Sequence, residues 1–367
     1  MCSLYIHIPF CDRKCFYCSF AIVVGQLKQA DDYVQCLFTE AGMYESRVID
    51  SVYVGGGTPT AMTPHQLSQL FVLLRKRFVL REGCEVTVEA NPEGLSREKL
   101  EVLRECGVNR ISLGVQTLRD DYLKYLGRLH DARAAAAAFE LIRSCGFDNV
   151  SCDLMISFPD QSEAELREDQ ERILTWNPEH ISLYSLTIEA PSRFFAQKVQ
   201  PPPDELQARQ LSLTVSTMAK HGYLRYEVSN FALPGYESAH NINYWSCGDY
   251  IGLGMGAHSH VQGERYNNVD RFAEYLRRIQ EGESPRQDSE RLTKEQRLVE
   301  AVLLGLRMTA GVNLAELEQR FDSRLDDGRR TRLAAYIKEG LLKDKSGRIW
   351  APPAGMMVLD EISASLF

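Results

Sequence analysis

The chain has 367 residues, of which 44% are hydrophobic and 25% charged, which is typical of an ordinary globular protein with one large and one smaller domain. Its net charge is -8 with both signs spread along the chain, which argues against a polyanion-binding surface and against a nucleic-acid partner. The N-terminus lacks the pattern of a secretory signal, and no apolar run approaches the roughly 18 residues of a membrane helix. We therefore expect a cytoplasmic protein whose ten cysteines are reduced thiols, some of them metal ligands.

Short β-rich runs alternate with helical stretches in the first two thirds of the chain. This alternation is typical of parallel strands joined by right-handed crossovers. The sequence thus predicts an α/β fold, a partial (βα)6-type TIM-like barrel, with function on the loops that follow the strands. A seventh unit near LRYEVSN is a further candidate. The six runs are LYIHI from Leu4, SVYVGG from Ser51, EVTVEA from Glu85, RISLGVQ from Arg110, VSCDLM from Val150 and HISLYSL from His180.

Helix ends carry their own signals. Thr63 before Pro64 predicts an N-cap and first turn, and Ser162 with Glu165 three residues later predicts a capping box. Gly107 and Gly146 each follow a helical run at the position where a left-handed C-terminal cap is favoured.

The composition changes at EGESPRQDSERLTKEQ, which is polar and charged, as a linker should be. We therefore expect a barrel over residues 1–280, a linker over 281–292 and a small C-terminal domain over 293–367. Helical patterns at 293–308, 313–321 and 327–340 precede two short strands around a Lys-Ser-Gly turn, which is the order of a winged helix. Residues 291–367 hold 13 Lys and Arg against 11 Asp and Glu, so this domain is expected to pack or dock rather than to bind nucleic acid.

Three cysteines, Cys11, Cys15 and Cys18, lie in the loop IHIPFCDRKCFYCSF directly after the first predicted strand. Structural zinc sites usually close with four protein ligands, often as two separated Cys-x-x-Cys pairs, and no second pair follows here. A cubane iron-sulfur cluster held by three thiolates instead leaves one iron free for a non-protein ligand. Three unrelated thiols on a loop are the alternative.

A glycine-rich segment, VGGGTPT from Val54, lies at the C-terminal end of the second predicted strand. Polar residues recur at the ends of later strands: Glu89, Gln116 and Asp153. Barrel geometry brings such strand ends together. Glycines let the backbone approach a ligand closely, but turns also use glycine for steric reasons alone. Taken singly, each polar residue is equally well explained as satisfying backbone groups.

The cysteine loop resembles that of the radical S-adenosylmethionine (SAM) superfamily, and over nearly its whole length the chain resembles the coproporphyrinogen III dehydrogenase-like branch. The resemblance implies a [4Fe-4S] cluster on Cys11, Cys15 and Cys18, whose open iron binds the amino and carboxylate groups of SAM and can cleave it to a 5'-deoxyadenosyl radical. Arg128, twelve residues after Gln116, matches the spacing of that branch. The SAM pocket implied by the resemblance consists of Tyr5, Tyr17, Gly56, Gly57, Thr58, Glu89, Gln116, Arg128 and Asp153.

Two kinds of protein occur in this branch, the dehydrogenase that decarboxylates porphyrinogen propionates and a haem chaperone. The dehydrogenase has a further cysteine two residues past the third, where this sequence has Phe20, and an N-terminal extension, whereas the first strand here begins at Leu4. HNINYW, from His240 to Trp245, matches a motif of the chaperones. The resemblance implies haem as cargo, with His240 as an axial ligand. His258 and His260 in GAHSH are candidates for a second ligand, and a structural role explains them equally well. Alternatively, His240 makes hydrogen bonds within a loop over packed aromatic rings.

The predicted function is therefore a haem chaperone that passes haem to acceptor haemoproteins, membrane-associated respiratory enzymes among them. An electron donor to the cluster is implied, and a homodimer is one candidate assembly. The alternatives are an oxygen-independent coproporphyrinogen III dehydrogenase, whose activity we expect to be absent, and a radical SAM enzyme on an unrelated substrate. One departure from the family is Ser157 in MISFP, where a glycine is usual, and this side chain is expected to narrow the floor of the pocket.

Overall fold

The computed structural model describes residues 1–366. Among these residues, no helix is both long enough and apolar enough to cross a membrane. The strands are β1 (Cys2–Ile8), β2 (Phe10–Cys11), β3 (Val23–Val24), β4 (Val48–Gly56), β5 (Val79–Ala90), β6 (Arg110–Gln116), β7 (Val150–Ile156), β8 (His180–Ser185), β9 (Leu224–Arg225), β10 (Asn230–Ala232), β11 (Asp249–Leu253), β12 (His258–Val261), β13 (Glu264–Asn268), β14 (Arg286–Arg291), β15 (Val312–Asn313), β16 (Lys343–Lys345) and β17 (Arg348–Trp350).

The helices are α1 (Ala30–Ala41), α2 (Pro64–Arg75), α3 (Arg97–Glu105), α4 (Asp120–Leu126), α5 (Ala132–Ser144), α6 (Glu163–Leu174), α7 (Arg193–Ala196), α8 (Asp204–Lys220), α9 (Ala239–Trp245), α10 (Phe272–Gln280), α11 (Lys294–Gly305), α12 (Leu314–Phe321), α13 (Asp327–Glu339), α14 (Pro353–Met357) and α15 (Leu359–Leu366).

Six parallel strands form the centre of a twelve-stranded sheet, and they follow one another in chain order. The order is β1, β4, β5, β6, β7, β8, with at least one helix between each consecutive pair. This is the connectivity of a partial (βα)6 barrel, so the predicted fold class is confirmed. Every residue of β6 is buried, as expected of a parallel strand that is covered on both faces.

The strands beyond these six extend the sheet without adding another barrel unit on the β8 side. There β10 pairs with β8 and β9 pairs with β10, both antiparallel. The seventh unit considered near LRYEVSN is therefore not formed, because the connection over residues 226–229 is too short for a parallel crossover. On the other side, β11 pairs in parallel with β1, and β12, β13 and β14 continue as antiparallel neighbours.

The helix signals of the sequence are confirmed. Thr63 and Gln66 form a capping box at the start of α2, each side chain accepting the other's backbone N–H. Ser162 and Glu165 form the same arrangement at α6. The glycines that follow α3 and α5 both have left-handed backbones, with φ of +77° and +81°.

The segment predicted as a linker contributes a strand to the large sheet. Residues 286–291 form β14, which pairs antiparallel with β13, and all six of its residues are exposed. A charged edge strand has the composition of a linker, which is why the sequence did not reveal it. The division into 1–280, 281–292 and 293–367 stays a prediction.

A second hydrophobic core lies in the C-terminal part of the chain. It joins α11, α13 and α15 with residues of the small sheet, in which the order is β15, β17, β16. The three helices and two strands lie where the sequence predicts them, so the winged-helix-like order is confirmed. Cys247, which belongs to the loop after α9, is buried in this second core and so links it to the barrel.

Glu40 on α1 is a buried carboxylate that holds three other segments. It accepts hydrogen bonds from the hydroxyl of Tyr275 (2.7 Å), the amide of Gly254 (2.8 Å) and Nδ2 of Asn268 (2.6 Å). Burial raises the pKa of Glu40 to about 7, while the three donors oppose the rise. The folded chain therefore holds the Glu40 proton more tightly than the unfolded chain does. The stabilisation that comes from this protonation is complete below the ordinary carboxyl pKa, and it is lost as the pH rises to about 7.

Replacing Glu40 with leucine should destabilise the fold strongly, because three buried donors would lose their acceptor. We expect Glu40→Leu to lower the free energy of unfolding by about 2–4 kcal/mol, measured by urea denaturation at neutral pH. The exposed Glu45 provides the control, since Glu45→Leu should change stability by at most about 0.5 kcal/mol. Equal effects of the two substitutions would contradict a structural role for the Glu40 hydrogen bonds.

Candidate metal and cofactor site

The three predicted cluster ligands lie on one loop at the carboxyl end of the barrel. Cys11 ends β2, and Cys15 and Cys18 follow before β3, with which β2 pairs in parallel. The amide of Cys18 donates to the carbonyl of Cys15, which makes a tight turn between them. All three thiols are free and half-buried, and they line one cavity of about 330 Å³. The structure therefore brings together the three cysteines singled out from the sequence.

Burial and one neighbouring cation act in opposite directions on the pKa of the Cys11 and Cys18 thiols. Burial raises the pKa of Cys11 to about 11, although a contact of 3.5 Å with the Thr58 hydroxyl opposes the rise. Burial also raises the pKa of Cys18. The Arg128 guanidinium lies 3.6 Å from the sulfur of Cys15, where it offsets negative charge on a metal-bound thiolate. Three soft donors beside one cation fit an iron-sulfur cluster with three protein ligands.

The glycine-rich segment holds the cysteine loop in place. The amide of Gly57 donates to the Ile8 carbonyl and that of Thr58 to the Phe10 carbonyl, both at 2.8 Å. A Cβ on Gly57 would lie 2.8 Å from the Ile8 oxygen, so only glycine permits this approach. Gly56, whose φ is +105°, donates its amide to Glu89. All three residues line the cavity, but their amides are paired within the protein instead of facing a ligand.

Two carboxylates, Glu89 and Asp153, face the same cavity from β5 and β7. Burial raises the pKa of Glu89 to about 7, with the Tyr53 hydroxyl, 2.8 Å away, opposing the rise and Asp153 adding to it. Burial likewise raises the pKa of Asp153 to about 6, although hydroxyls such as that of Ser112, 2.9 Å away, donate to it. A cationic ligand in the cavity would favour the ionised form of both groups.

The remaining residues of the predicted SAM pocket fall into two groups. Gln116 ends β6 with a left-handed φ of +68° and accepts a hydrogen bond from Tyr184. It lines the first cavity together with Tyr17 and Arg128. Tyr5 is different, because it lines a second cavity, and its hydroxyl lies 3.0 Å from Nδ1 of His7. Eight of the nine predicted residues thus meet at one cavity: Tyr17, Gly56, Gly57, Thr58, Glu89, Gln116, Arg128 and Asp153.

Two features of this site differ from the expectations from sequence. Asn91 was missed, although it lines the cavity and joins Thr58 (2.9 Å) to Arg128 (2.6 Å). The signal that identified Glu89, a polar residue at the end of a strand, applies equally to Asn91, which directly follows β5. Ser157 has a left-handed φ of +63°, which explains why a glycine is usual there. Its side chain is buried towards Ser185 and does not line the cavity, so it does not narrow the pocket.

A second cavity of about 800 Å³ adjoins the first. Ser19, Phe20, Gly56 and Glu89 line both cavities, so the end of the cysteine loop forms a shared wall. The second cavity extends to α11 of the C-terminal domain. Its other lining residues include the aromatic and imidazole side chains of Tyr244, Tyr250, His258 and His260.

The motif HNINYW forms α9, and His240 lies inside the barrel. Its Nδ1 is 3.0 Å from the Ser51 hydroxyl, its Nε2 is 3.0 Å from the Tyr244 hydroxyl, and its ring packs on Tyr53. Burial lowers the pKa of His240 to about 3, so the imidazole is neutral. Glu85 of β5 accepts a hydrogen bond from the backbone amide of His240 and so holds the start of α9 in place. The structure thus shows the hydrogen-bonded alternative considered for His240, and His240 lines neither cavity.

The comparisons with known proteins agree with this fold and this loop. The family model for the radical SAM superfamily matches residues 5–173, and that for the HemN C-terminal domain matches residues 292–358. The solved structure of coproporphyrinogen III oxidase (HemN) from Escherichia coli superposes with a TM-score of 0.88 at 25% identity, covering 100% of this chain and 89% of that chain. The fold and the three-cysteine loop are thus those of the radical SAM class.

Curated relatives narrow the family. The protein named Heme chaperone HemW from Bacillus subtilis is 36% identical, over 99% of this chain and 98% of the relative. HemW from Escherichia coli is 38% identical over 71% of this chain and 70% of the relative. A mouse protein is 32% identical over 99% of this chain and 87% of the relative, and its name is radical S-adenosyl methionine domain-containing protein 1, mitochondrial. The chain belongs to the HemW family of radical SAM proteins.

SAM binding should depend on pH if Glu89 and Asp153 face the cationic groups of SAM. Because only the ionised carboxylates attract a cation, we expect the affinity of cluster-loaded protein for SAM to fall about tenfold between pH 8 and pH 6, measured by anaerobic calorimetry. Glu89→Gln should remove most of this difference, while the cluster absorbance stays constant. The same dissociation constant at both pH values would show that these carboxylates do not face the ligand.

Proposed function

We propose that this protein binds haem and passes it to acceptor haemoproteins, on a radical SAM scaffold that carries a [4Fe-4S] cluster and SAM. The observation that carries the proposal is the similarity to curated haem chaperones along almost the entire chain. Phe20 supports it, since the dehydrogenase branch has a cysteine at this position. Phe20 is 64% exposed and forms part of the wall between the two cavities.

In this proposal, Cys11, Cys15 and Cys18 hold the cluster. When bound, the cluster and SAM supply one-electron chemistry at the SAM sulfonium. The chain's own part is to bind and to orient. Arg128 balances thiolate charge, and the glycine-rich segment fixes the loop. The SAM-binding residues proposed are Tyr5, Tyr17, Gly56, Gly57, Thr58, Glu89, Gln116, Arg128 and Asp153.

The second cavity is the proposed haem site. Its volume of about 800 Å³ lies within the range of cofactor pockets, and its walls combine flat aromatic rings with imidazoles. Aromatic faces suit a macrocycle, and imidazole is a common axial ligand to haem iron. This cavity shares the end of the cysteine loop with the first cavity, so in the proposal haem and cluster lie on either side of one loop.

We assign the axial ligand to His240, which requires Tyr244 to turn aside. Tyr244 lines the cavity and bonds to Nε2 of His240, so it stands between the imidazole and the cavity. Ser51 can accept the Nδ1 proton, which leaves the Nε2 lone pair directed at Tyr244. Removing the Tyr244 hydroxyl would then free the nitrogen that binds iron.

The substitutions Tyr244→Phe and His240→Ala should therefore change haem affinity in opposite directions. A hydrogen bond worth about 1 kcal/mol competes with iron, so Tyr244→Phe should tighten binding about fivefold. His240→Ala should abolish the Soret shift in an anaerobic haem titration of cluster-loaded protein. Tyr250→Phe is the matched control, because Tyr250 lines the same cavity but is not hydrogen-bonded to His240.

Two other results would redirect the proposal. If Tyr244→Phe and His240→Ala leave the titration unchanged and His258→Ala abolishes it, the exposed His258 at the cavity wall is the ligand. If wild-type protein with an intact cluster spectrum shows no saturable binding of haem, the carrier function itself is wrong.

The competing function is an oxygen-independent coproporphyrinogen III dehydrogenase, favoured by the structural similarity to the Escherichia coli oxidase. We expect reconstituted protein with SAM, reductant and coproporphyrinogen III under nitrogen to form no protoporphyrinogen, because Phe20 replaces the cysteine of that branch. The Escherichia coli oxidase is the positive control in the same assay. Product formation at a comparable rate would replace the carrier proposal with the enzyme.

The partners follow from the carrier function. We propose acceptor haemoproteins that include membrane-associated respiratory enzymes, an electron donor to the cluster, and the cytoplasm as the compartment. A homodimer is the proposed assembly. Nothing in the composition calls for a nucleic-acid partner, because the C-terminal domain is close to neutral.

A further inference from the structure

Three potential metal ligands meet where the barrel contacts the C-terminal domain. They are Cys247 in the loop after α9, His260 on β12 and Glu300 on α11, and one ligand atom of each lies within 4.8 Å of the others. Cys247 and His260 are buried, with exposed fractions of 5% and 4%. All three residues line the second cavity. None of them belongs to the cluster loop or to the proposed SAM pocket.

His260 carries the second observation, because one of its ring nitrogens has no partner. Nδ1 lies 3.4 Å from the carbonyl of Gly248, to which it donates its proton. Nε2 is buried and has no hydrogen-bond partner among the described residues. A neutral imidazole with Nδ1 bonded to a backbone carbonyl presents a lone pair at Nε2, which is the usual form of a metal-binding histidine. An unpaired buried acceptor is otherwise costly.

Glu300 is held in place by a second group of charges. Arg265 donates to Oε1 of Glu300 and also pairs with Glu290 at 2.8 Å. The ion pair orients the Glu300 carboxylate through Oε1, which leaves Oε2 for another partner. The side chain of Glu300 is 18% exposed, so solvent and ions can reach the site through the cavity.

We propose that Cys247, His260 and Glu300 bind a zinc ion, with a fourth coordination position open to the cavity. A thiolate, an imidazole and a carboxylate form a donor set that zinc accepts. Three donors that converge on one point suit a free cation better than haem iron, which takes axial ligands along one line. Tetrahedral zinc with bonds of about 2.0–2.3 Å needs donors roughly 3.3–3.8 Å apart. Because the three atoms lie within 4.8 Å of one another, each pair would have to approach by at most about 1.5 Å. On binding, the Cys247 thiol releases its proton to solvent.

Such an ion would add a link between the barrel and the C-terminal domain, beside the hydrogen bonds that Arg320 already donates to the carbonyls of Ser246 and Cys247. Cys247 lies in the C-terminal hydrophobic core, His260 belongs to the large sheet, and Glu300 lies on the first helix of the C-terminal domain. Zinc would therefore stabilise the contact between barrel and domain, and the cavity wall with it. The proposal does not depend on the haem carrier function.

Cobalt(II) is the probe, because tetrahedral cobalt with a thiolate ligand gives a charge-transfer band and intense visible bands. The experiment uses the full-length chain with Cys11, Cys15 and Cys18 changed to serine, because these three thiolates would otherwise compete for cobalt. We expect this protein to bind one cobalt ion with these bands, and zinc to displace it. Cys247→Ser should remove the charge-transfer band, and His260→Ala should weaken binding at least tenfold. Glu300→Gln should weaken binding less.

The controls are Cys106→Ser, at a half-buried thiol, and His65→Ala, at an exposed imidazole, both of which should leave the bands unchanged. Zinc should also raise the melting temperature of the parent protein, which is the chain with Cys11, Cys15 and Cys18 changed to serine. It should not raise that of the parent with Cys247→Ser added. A folded variant that zinc does not stabilise has lost the metal site and not the fold. Metal analysis of cluster-loaded wild type should find zinc besides iron. No cobalt bands in the parent, or bands that survive both Cys247→Ser and His260→Ala, would overturn the site.

Discussion

Two backbone hydrogen bonds between the glycine-rich segment and the cysteine loop support everything at the cluster end of the barrel. The amides of Gly57 and Thr58 donate to the carbonyls of Ile8 and Phe10. These bonds involve only backbone atoms, so side-chain rotation does not change them. The pairing of the neighbouring strands β1 and β4 therefore determines the position of the loop that contains the three thiols. A side chain at residue 57 would separate the loops, because its Cβ would lie 2.8 Å from the Ile8 carbonyl oxygen. The glycines therefore position the proposed metal ligands without being ligands themselves.

The barrel interior is a continuous polar column below this site. Glu89 accepts from Tyr53, whose ring packs on His240, and His240 bonds to Ser51 near the other end of the strands. Glu89, Tyr53, His240 and Ser51 each have a hydrogen-bond partner, which is how these buried polar groups avoid the cost of desolvation. The same pairing keeps His240 out of both cavities. Its release requires the loss of one hydrogen bond and the movement of Tyr244, and both are local changes.

Much of the fold was readable from the sequence because its signals are local. Periodicity marked the six parallel strands, and the capping residues Thr63 and Ser162 marked helix starts that the structure confirms. The cysteine loop was equally clear, since all three proposed ligands fall within eight residues. Strand β14 was not predicted, because an exposed, charged edge strand differs from a linker only in its partner. Long-range contacts were also beyond reach. The burial of His240 depends on Glu85, 155 residues away, and the group of Cys247, His260 and Glu300 has no local spacing that marks it.

The two ends of the open sheet must each be kept from adding a further strand from another molecule. An unpaired strand edge offers a row of free N–H and C=O groups, which makes it a template for aggregation. At one end, β14 presents six exposed residues, RQDSER, whose charges resist close approach by another chain. At the other end, β9 has only two residues and so offers very little edge. Strand β14, which the sequence predicted as part of a linker, thus protects this edge of the sheet against pairing with another molecule through its charged side chains.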